Sequence, residues 1–366
     1  MLEKQKHVKF MKSIMKEKDI LYYLTEQDRN ATLFWAMNSL KMLRDPYFEE
    51  MKPFAIRHLM SCLKPDGGFG PTQEYHSNML STFYSLQTFF IMDIPFYSDQ
   101  TVDFIFNLQN PKGAFMNDKY GETDTRIDCC AILSLHILSI MKHCYDKEGA
   151  FSMQDSVYFK DLKSPYNLLE ADIFEGFDQH MVNKISFSCN RKIEIDRQEL
   201  DRPILKEFLQ FSKIDVELFV NHLLECNNHD GGFGQIEGSE SHAAQIFCCI
   251  SSLRSLGKLD CIDTKKTVDF LVFRQMPSGG FNGRVNKKED VCYSFWAYSS
   301  LLCLGSKEDI DTSKLKEFIL SCQGADGGFS DRPGNEPDLF HLMFSLAALS
   351  MLGDESLGEI DPGFAM

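Results

Sequence analysis

Asp230-Gly231-Gly232-Phe233, Ser278-Gly279-Gly280-Phe281 and Asp326-Gly327-Gly328-Phe329 decide the fold of this 366-residue chain. Asp66-Gly67-Gly68-Phe69 and Lys112-Gly113-Ala114-Phe115 carry the same signature earlier on. The five Phe residues are spaced 46, 118, 48 and 48 apart. A recurring period of ~40–50 residues marks stacked supersecondary units. The long interval equals one such period plus about 70 residues, so one unit carries an insertion, placed at about 142–212.

Around each signature the pattern is the same. Polar caps open a 3.6-period apolar stripe before the glycines: Asp263-Thr264 leads to Val268, Leu271, Val272 and Gln275, and Asp311-Thr312 to Leu315, Phe318, Ile319 and Cys322. The glycines supply positive φ for a tight turn that the Phe plugs. A second, more apolar helix follows, from Phe247 to Leu256, Tyr293 to Leu304 and His341 to Leu352. Helices apolar nearly all round belong inside. Alternating outer and inner helices predict an all-α fold, either an open solenoid or a closed α–α barrel. The stripes follow helical and not strand periodicity, which argues against propeller blades of similar period.

Composition bounds the function. Hydrophobic residues at 43% and charged residues at 25% are those of a globular chain with a sizeable core. A net charge of −15 argues against broad nucleic-acid or anionic-membrane binding. No run approaches a membrane span, the N-terminus lacks a signal-peptide core, and twelve Cys read as reduced cytoplasmic thiols. The 142–212 stretch, with Ser164-Pro165 and Arg202-Pro203, reads as a surface excursion. Length alone suggests two or three domains. Removing the insertion leaves roughly 295 residues, so we expect a single repeat-built domain over 1–366.

Registering the repeats on their Phe exposes a site. Nine residues on lie Asp124, His242, Asp290 and Asp338; eleven on, Arg126, Ala244, Cys292 and Phe340; twelve on, Ile127, Gln245, Tyr293 and His341. All fall where inner helices begin, hence on one rim. Asp290, Cys292 and His341 offer carboxylate, thiolate and imidazole from neighbouring repeats, a set suited to zinc with one position left open. Taken singly, a capping Asp, a buried Cys and a hydrogen-bonded His are the plainer account, and it is the repeat register that strengthens the zinc reading. His242, Arg284, Lys287 and Tyr293, with Arg126 and Lys288 nearby, form a cationic and hydroxyl group fit for a diphosphate; solvated surface charge is the plainer alternative. Phe34, Trp35, Phe83, Phe247, Phe295 and Trp296 on the inner helices are either core or the wall of an apolar cavity.

Longer stretches carry a resemblance. Gly238-Ser239-Glu240-Ser241-His242-Ala243, Pro277 to Arg284, Asp290-Val291-Cys292-Tyr293-Ser294-Phe295-Trp296, and Asp331-Arg332-Pro333-Gly334 followed by Asp338-Leu339-Phe340-His341 resemble protein prenyltransferase β subunits, most of all the Rab geranylgeranyl (type II) kind. Gly121-Glu122-Thr123-Asp124-Thr125-Arg126 matches too, and the likeness spans nearly all the chain outside the insertion. It implies a closed α–α barrel paired with a helical-repeat α subunit. Asp290, Cys292 and His341 take the zinc-ligand positions, one Zn2+ per subunit. His242, Arg284, Lys287 and Tyr293 take the diphosphate positions, and Arg126 lies at the pocket wall. Asp331 matches an aspartate associated with Mg2+ in some relatives. Phe295 and Trp296 match lipid-funnel aromatics. Ala31 stands where a farnesyl enzyme has a bulky Trp, leaving room for a twenty-carbon chain, while Phe83 replaces a smaller aliphatic in the same pocket.

The implied reaction is thioether formation between geranylgeranyl diphosphate and C-terminal cysteines of Rab-type small GTPases, with or without an escort protein. Type I geranylgeranyl- and farnesyltransferase β subunits are the near alternatives. A terpene cyclase would need an Asp-rich DxDD motif, which the chain lacks, and a peptide-binding scaffold would need no zinc set.

Overall fold

The computed structural model describes residues 2–15, 20–94, 96–148, 204–209 and 213–364. Most of the expected surface excursion, 149–203 and 210–212, lies outside the described residues, and the single-domain expectation runs across that same stretch. In chain order the helices are α1 Lys4–Ile14, α2 Ile20–Leu24, α3 Arg29–Leu43, α4 Tyr47–Cys62, α5 Met79–Ile91, α6 Asp99–Phe106, α7 Thr125–Glu148, α8 Ile204–Leu209, α9 Val216–Glu225, α10 Ala243–Leu256, α11 Thr264–Val272, α12 Val291–Cys303, α13 Thr312–Ser321 and α14 Leu339–Met351. Two of these revise the insertion. α7 runs several residues beyond 142, and α8 packs Leu205 and Leu209 against the barrel, touching α7 and α10.

Each turn is built alike. The signature Phe is fully buried in all five, and it bridges back to the residue six before it, as Gln275 with Phe281 and Gln323 with Phe329. The Phe carbonyl then holds the amide of the residue nine positions on: His242 to Phe233 at 2.9 Å, Asp290 to Phe281 at 3.0 Å and Asp338 to Phe329 at 3.1 Å. That residue caps the next helix with its own side chain, and Asn78 does the same after Phe69. Inner helices therefore start at Ala243, Val291 and Leu339, two to four residues earlier than the apolar pattern indicated. Gln275 also departs from expectation. It lies past the end of α11, where its amide bonds the Gly279 and Asp311 carbonyls and accepts the Asp311 amide.

The inner helices α3, α5, α7, α10, α12 and α14 each pack on the next, and α14 packs back on α3. This decides between solenoid and barrel: the ring is closed. Adjacent repeats are tied at the rim by backbone bonds such as Ala243 to Gly283 at 2.9 Å and Val291 to Asp331 at 2.8 Å. No helix among the described residues is long and apolar enough to cross a membrane.

Closure uses the first helix of the chain. The last turn, at Gly327-Gly328-Phe329, is covered by α1, just as the Gly279 turn is covered by α13. Gln323 accepts the Glu3 amide, repeating the clasp that Gln275 makes on Asp311. His7 is fully buried, stacked on Phe329 at 4.9 Å. Its Nδ1 accepts the Gly328 amide at 3.0 Å, so its proton sits on Nε2, facing Gln323 Oε1 at 3.2 Å. Burial holds its pKa below the usual value, against weaker help from the Gln323 bond and Glu3. The unfolded imidazole thus takes up a proton first, and stability falls as pH drops below the unfolded value. Against a His7→Leu control, the wild-type advantage in urea midpoint is expected to shrink between pH 7.5 and 5.5. The loss is at most about 1.4 kcal/mol, the linkage limit one pH unit below the ordinary imidazole value.

At the far end, residues 357–364 cross the floor of the ring. Arg254 pairs with Asp361 at 2.8 Å, Gln87 donates to the Phe364 carbonyl at 2.9 Å, and His136 packs on Phe364. Ser299 donates to the Pro362 carbonyl. The opposite rim, where inner helices begin, is the end left for a site.

Candidate functional site

Position nine is a cap throughout, so charge there is explained by helix starts alone. What distinguishes one sector is what stands beside the cap. Asp290 Oδ1 accepts the Cys292 amide at 2.9 Å, and His341 arrives from the next repeat with Nε2 3.5 Å from Asp290 Oδ1. Ligand atoms of Asp290, Cys292 and His341 all lie within 4.8 Å of one another. Asp338 accepts from His341 twice, from the backbone at 2.8 Å and from Nδ1 at 2.6 Å. That leaves Nε2 turned to Asp290 and Cys292, the arrangement in which a carboxylate orients a metal-binding imidazole.

Electrostatics says what these three lack. Burial pushes the Cys292 thiol well above its usual value, and the Asp290 charge adds to this. Burial works against charge on His341, but hydrogen bonds to Asp290 and Asp338 outweigh it and push its pKa up to about 9. Without a cation, the site therefore holds a protonated thiol and an imidazolium between two carboxylates. A divalent soft-to-borderline metal would replace both protons, and the thiolate, imidazole and carboxylate donors fit zinc.

The second group is assembled next door. His242, at the cap of α10, accepts the Ala244 amide on Nδ1 at 3.1 Å. Its proton is thereby placed on Nε2, which faces the Tyr293 hydroxyl at 3.2 Å. Burial, then the Arg284 charge, pushes His242 down to about 4, so it is neutral at pH 7. Burial pushes Tyr293 up to about 12. Tyr293 accepts from His242 and keeps its own O–H to donate, a relay the residue list by itself does not reveal. Arg284 shares with His242 a pocket of about 310 Å³ that also includes Gln235, Ser239, Glu240 and Gln245.

Other expected residues are placed less centrally. Lys287 is exposed on the loop between Arg284 and Asp290, its backbone held by Arg284 and Asn282. Arg126 is half-exposed at the start of α7 and pairs with Asp124 at 3.1 Å. Both Asp331 carboxylate oxygens are engaged, by Arg332 and Asn335, each at 2.7 Å. Ala31 and Phe83 are buried on α3 and α5. Phe295 is fully buried in the seam between Phe247 at 5.3 Å and Phe344 at 5.1 Å.

Trp296, one position further, belongs to a continuous aromatic arc. It runs from Tyr84 through Trp35, Phe340 and Trp296 to Tyr293 and His242, with ring centroids 5.2 to 6.1 Å apart. Tyr84, Cys130, Cys248, Trp296 and Phe344 all stand six residues after a cap. Carrying the same register six residues past the caps would have found Tyr84 and Phe344.

Comparison with known proteins bears on the family and the fold. Residues 2–161 and 180–366 match the prenyltransferase alpha-alpha toroid domain. The chain is 32% identical to the geranylgeranyl transferase type-2 subunit beta of Candida albicans, over 75% of this chain and 65% of that one. It is 31% identical to the same subunit of Saccharomyces cerevisiae, over 75% and 66%. The match thus spans just under two thirds of either relative. In three dimensions it superposes on Candida albicans protein geranylgeranyltransferase-I complexed with GGPP with a TM-score of 0.73 at 21% identity, covering 100% of this chain and 95% of that one. The chain belongs to the prenyltransferase α–α toroid family.

Proposed function

We propose that this chain is the catalytic β subunit of a zinc-dependent protein prenyltransferase, moving a geranylgeranyl group from its diphosphate to C-terminal cysteines of Rab-type small GTPases. The observation that carries this reading is the juxtaposition at one rim of Asp290, Cys292 and His341 with Tyr293, His242 and Arg284. Similarity to subunits named geranylgeranyl transferase type-2 beta favours the geranylgeranyl donor.

Zinc, when bound by Asp290, Cys292 and His341, would hold a substrate thiol as thiolate at neutral pH. Asp338 fixes the His341 ring for that task. A C–S bond forms at C1 of the donor as the C1–O bond breaks, and the electron pair leaves on the diphosphate. Tyr293 O–H, backed by His242, and the Arg284 guanidinium face the charge that develops there; each such donor contributes on the order of 10²–10³ in rate. The aromatic arc from Trp296 to Tyr84 lies beside them as an apolar surface for the chain. The family fold pairs this subunit with a helical α partner, and the acceptor is delivered with or without an escort.

The test is to assemble the chain with its α partner and offer geranylgeranyl and farnesyl diphosphate with a Rab carrying its C-terminal cysteines. Transfer from the longer donor, lost when the acceptor cysteines are changed to Ser, is the expected result. Preference for the shorter donor would overturn the assignment of chain length and the role given to Ala31.

A further inference from the structure

Glu240 stands inside the pocket assigned to the diphosphate, where no part of the reaction calls for a carboxylate. Its Oε2 lies 3.1 Å from Arg284 Nη1, and it borders the same cavity as His242 and Arg284. Arg284 has no other carboxylate partner among the described residues, so its guanidinium is turned on the group with the same charge as the ligand. Both side chains are partly exposed, 40% for Arg284 and 56% for Glu240, and such a pair is weak enough to be exchanged. Ser239, on the preceding turn, is tied to Ile236 and does not compete.

We propose that Glu240 is a built-in counter-anion, occupying Arg284 in the free protein and giving way to the donor's diphosphate. It acts through Arg284 and not on the reacting atoms. Small anions must displace Glu240 with charge alone, whereas a prenyl diphosphate adds the burial of its chain on the aromatic arc. The same carboxylate re-pairs with Arg284 when diphosphate leaves and so eases product release. This inference rests on the diphosphate reading of the His242, Tyr293 and Arg284 pocket.

Inorganic pyrophosphate is the probe, titrated into the full chain assembled with its partner subunit. Freeing Arg284 from a carboxylate this close, so that the anion no longer has to displace it, is worth about tenfold at a partly exposed site. Glu240→Gln is therefore expected to tighten pyrophosphate binding about tenfold and to make pyrophosphate a correspondingly stronger product inhibitor. In an Arg284→Gln background the same change is expected to shift affinity by less than about twofold, because the competing pair is gone. Unchanged or weaker binding in Glu240→Gln overturns the proposal, the weaker case meaning that Glu240 aims Arg284 and does not oppose the ligand. A tenfold gain that persists without Arg284 also overturns it. Wild-type protein that binds pyrophosphate no better than Arg284→Gln removes the diphosphate reading itself, and the proposal falls with it.

Discussion

Cys292→Ala is expected to remove zinc and prenyl transfer together, each by more than about 100-fold, while the fold survives. The lower bound follows from comparison with Asp338, which touches the site only through His341 Nδ1. Loss of such a supporting carboxylate costs about 10–100-fold in metal affinity or activity, and a direct ligand costs more. Asp338→Asn is therefore the graded control: the amide oxygen still caps α14, but the charge on the imidazole is gone. Metal content of the purified variants, read beside transfer rates, checks the order Cys292→Ala below Asp338→Asn below wild type. Transfer that persists in Cys292→Ala after its zinc is gone would end the metal reading. Retained helical circular dichroism is expected, since a buried thiol at a helix start gives way to a smaller side chain of good helix propensity.

Gly279→Ala should be among the most damaging single methyls in the ring. Gly279 sits at φ +92°, and a Cβ there would lie 2.3 Å from the Lys314 carbonyl oxygen at the start of α13. Left-handed strain and a collision with backbone act together, so a loss of about 3 kcal/mol or more in unfolding free energy is expected. Gly305→Ala separates the two causes. It has φ +72° but nothing within 4 Å of the added carbon, so only conformational strain of about 1–2 kcal/mol remains. Chemical denaturation of both variants checks the difference; equal losses would show that the approach of α13 is not what the glycine protects. The damage should reach the metal site too, because Phe281 in this turn holds the Asp290 amide.

Period and register were readable because the turn chemistry is local. A Gly-Gly pair, a plugging Phe and a cap nine residues later all fall within one short stretch, so residue types alone reveal them. The Asp290, Cys292 and His341 trio was readable for the same reason, once neighbouring repeats were aligned. Closure was not. α1 has no Gly-Gly-Phe turn before it, and His7 gains its meaning only from Gly328 and Gln323, more than 300 positions away. Choosing between neighbours on one helix also failed to be local. Phe295 and Trp296 are both large aromatics and both lie against Phe344, and only the first also meets Phe247 in a seam. The pairing of Arg284 with Glu240 joins two neighbouring repeats, and charge type by itself points as readily to a free cationic cluster.

Covering the last turn with the first helix has a kinetic consequence. During synthesis α1 emerges hundreds of residues before Gln323, Gly328 and Phe329, the groups that receive it. Until they arrive, the fully buried His7 has no native seat. The barrel therefore cannot be completed vectorially, repeat by repeat, as an open solenoid can. Its final step is a loop closure spanning almost the entire described chain, which places the heaviest entropic demand and the longest exposure of apolar surface at the very end of folding.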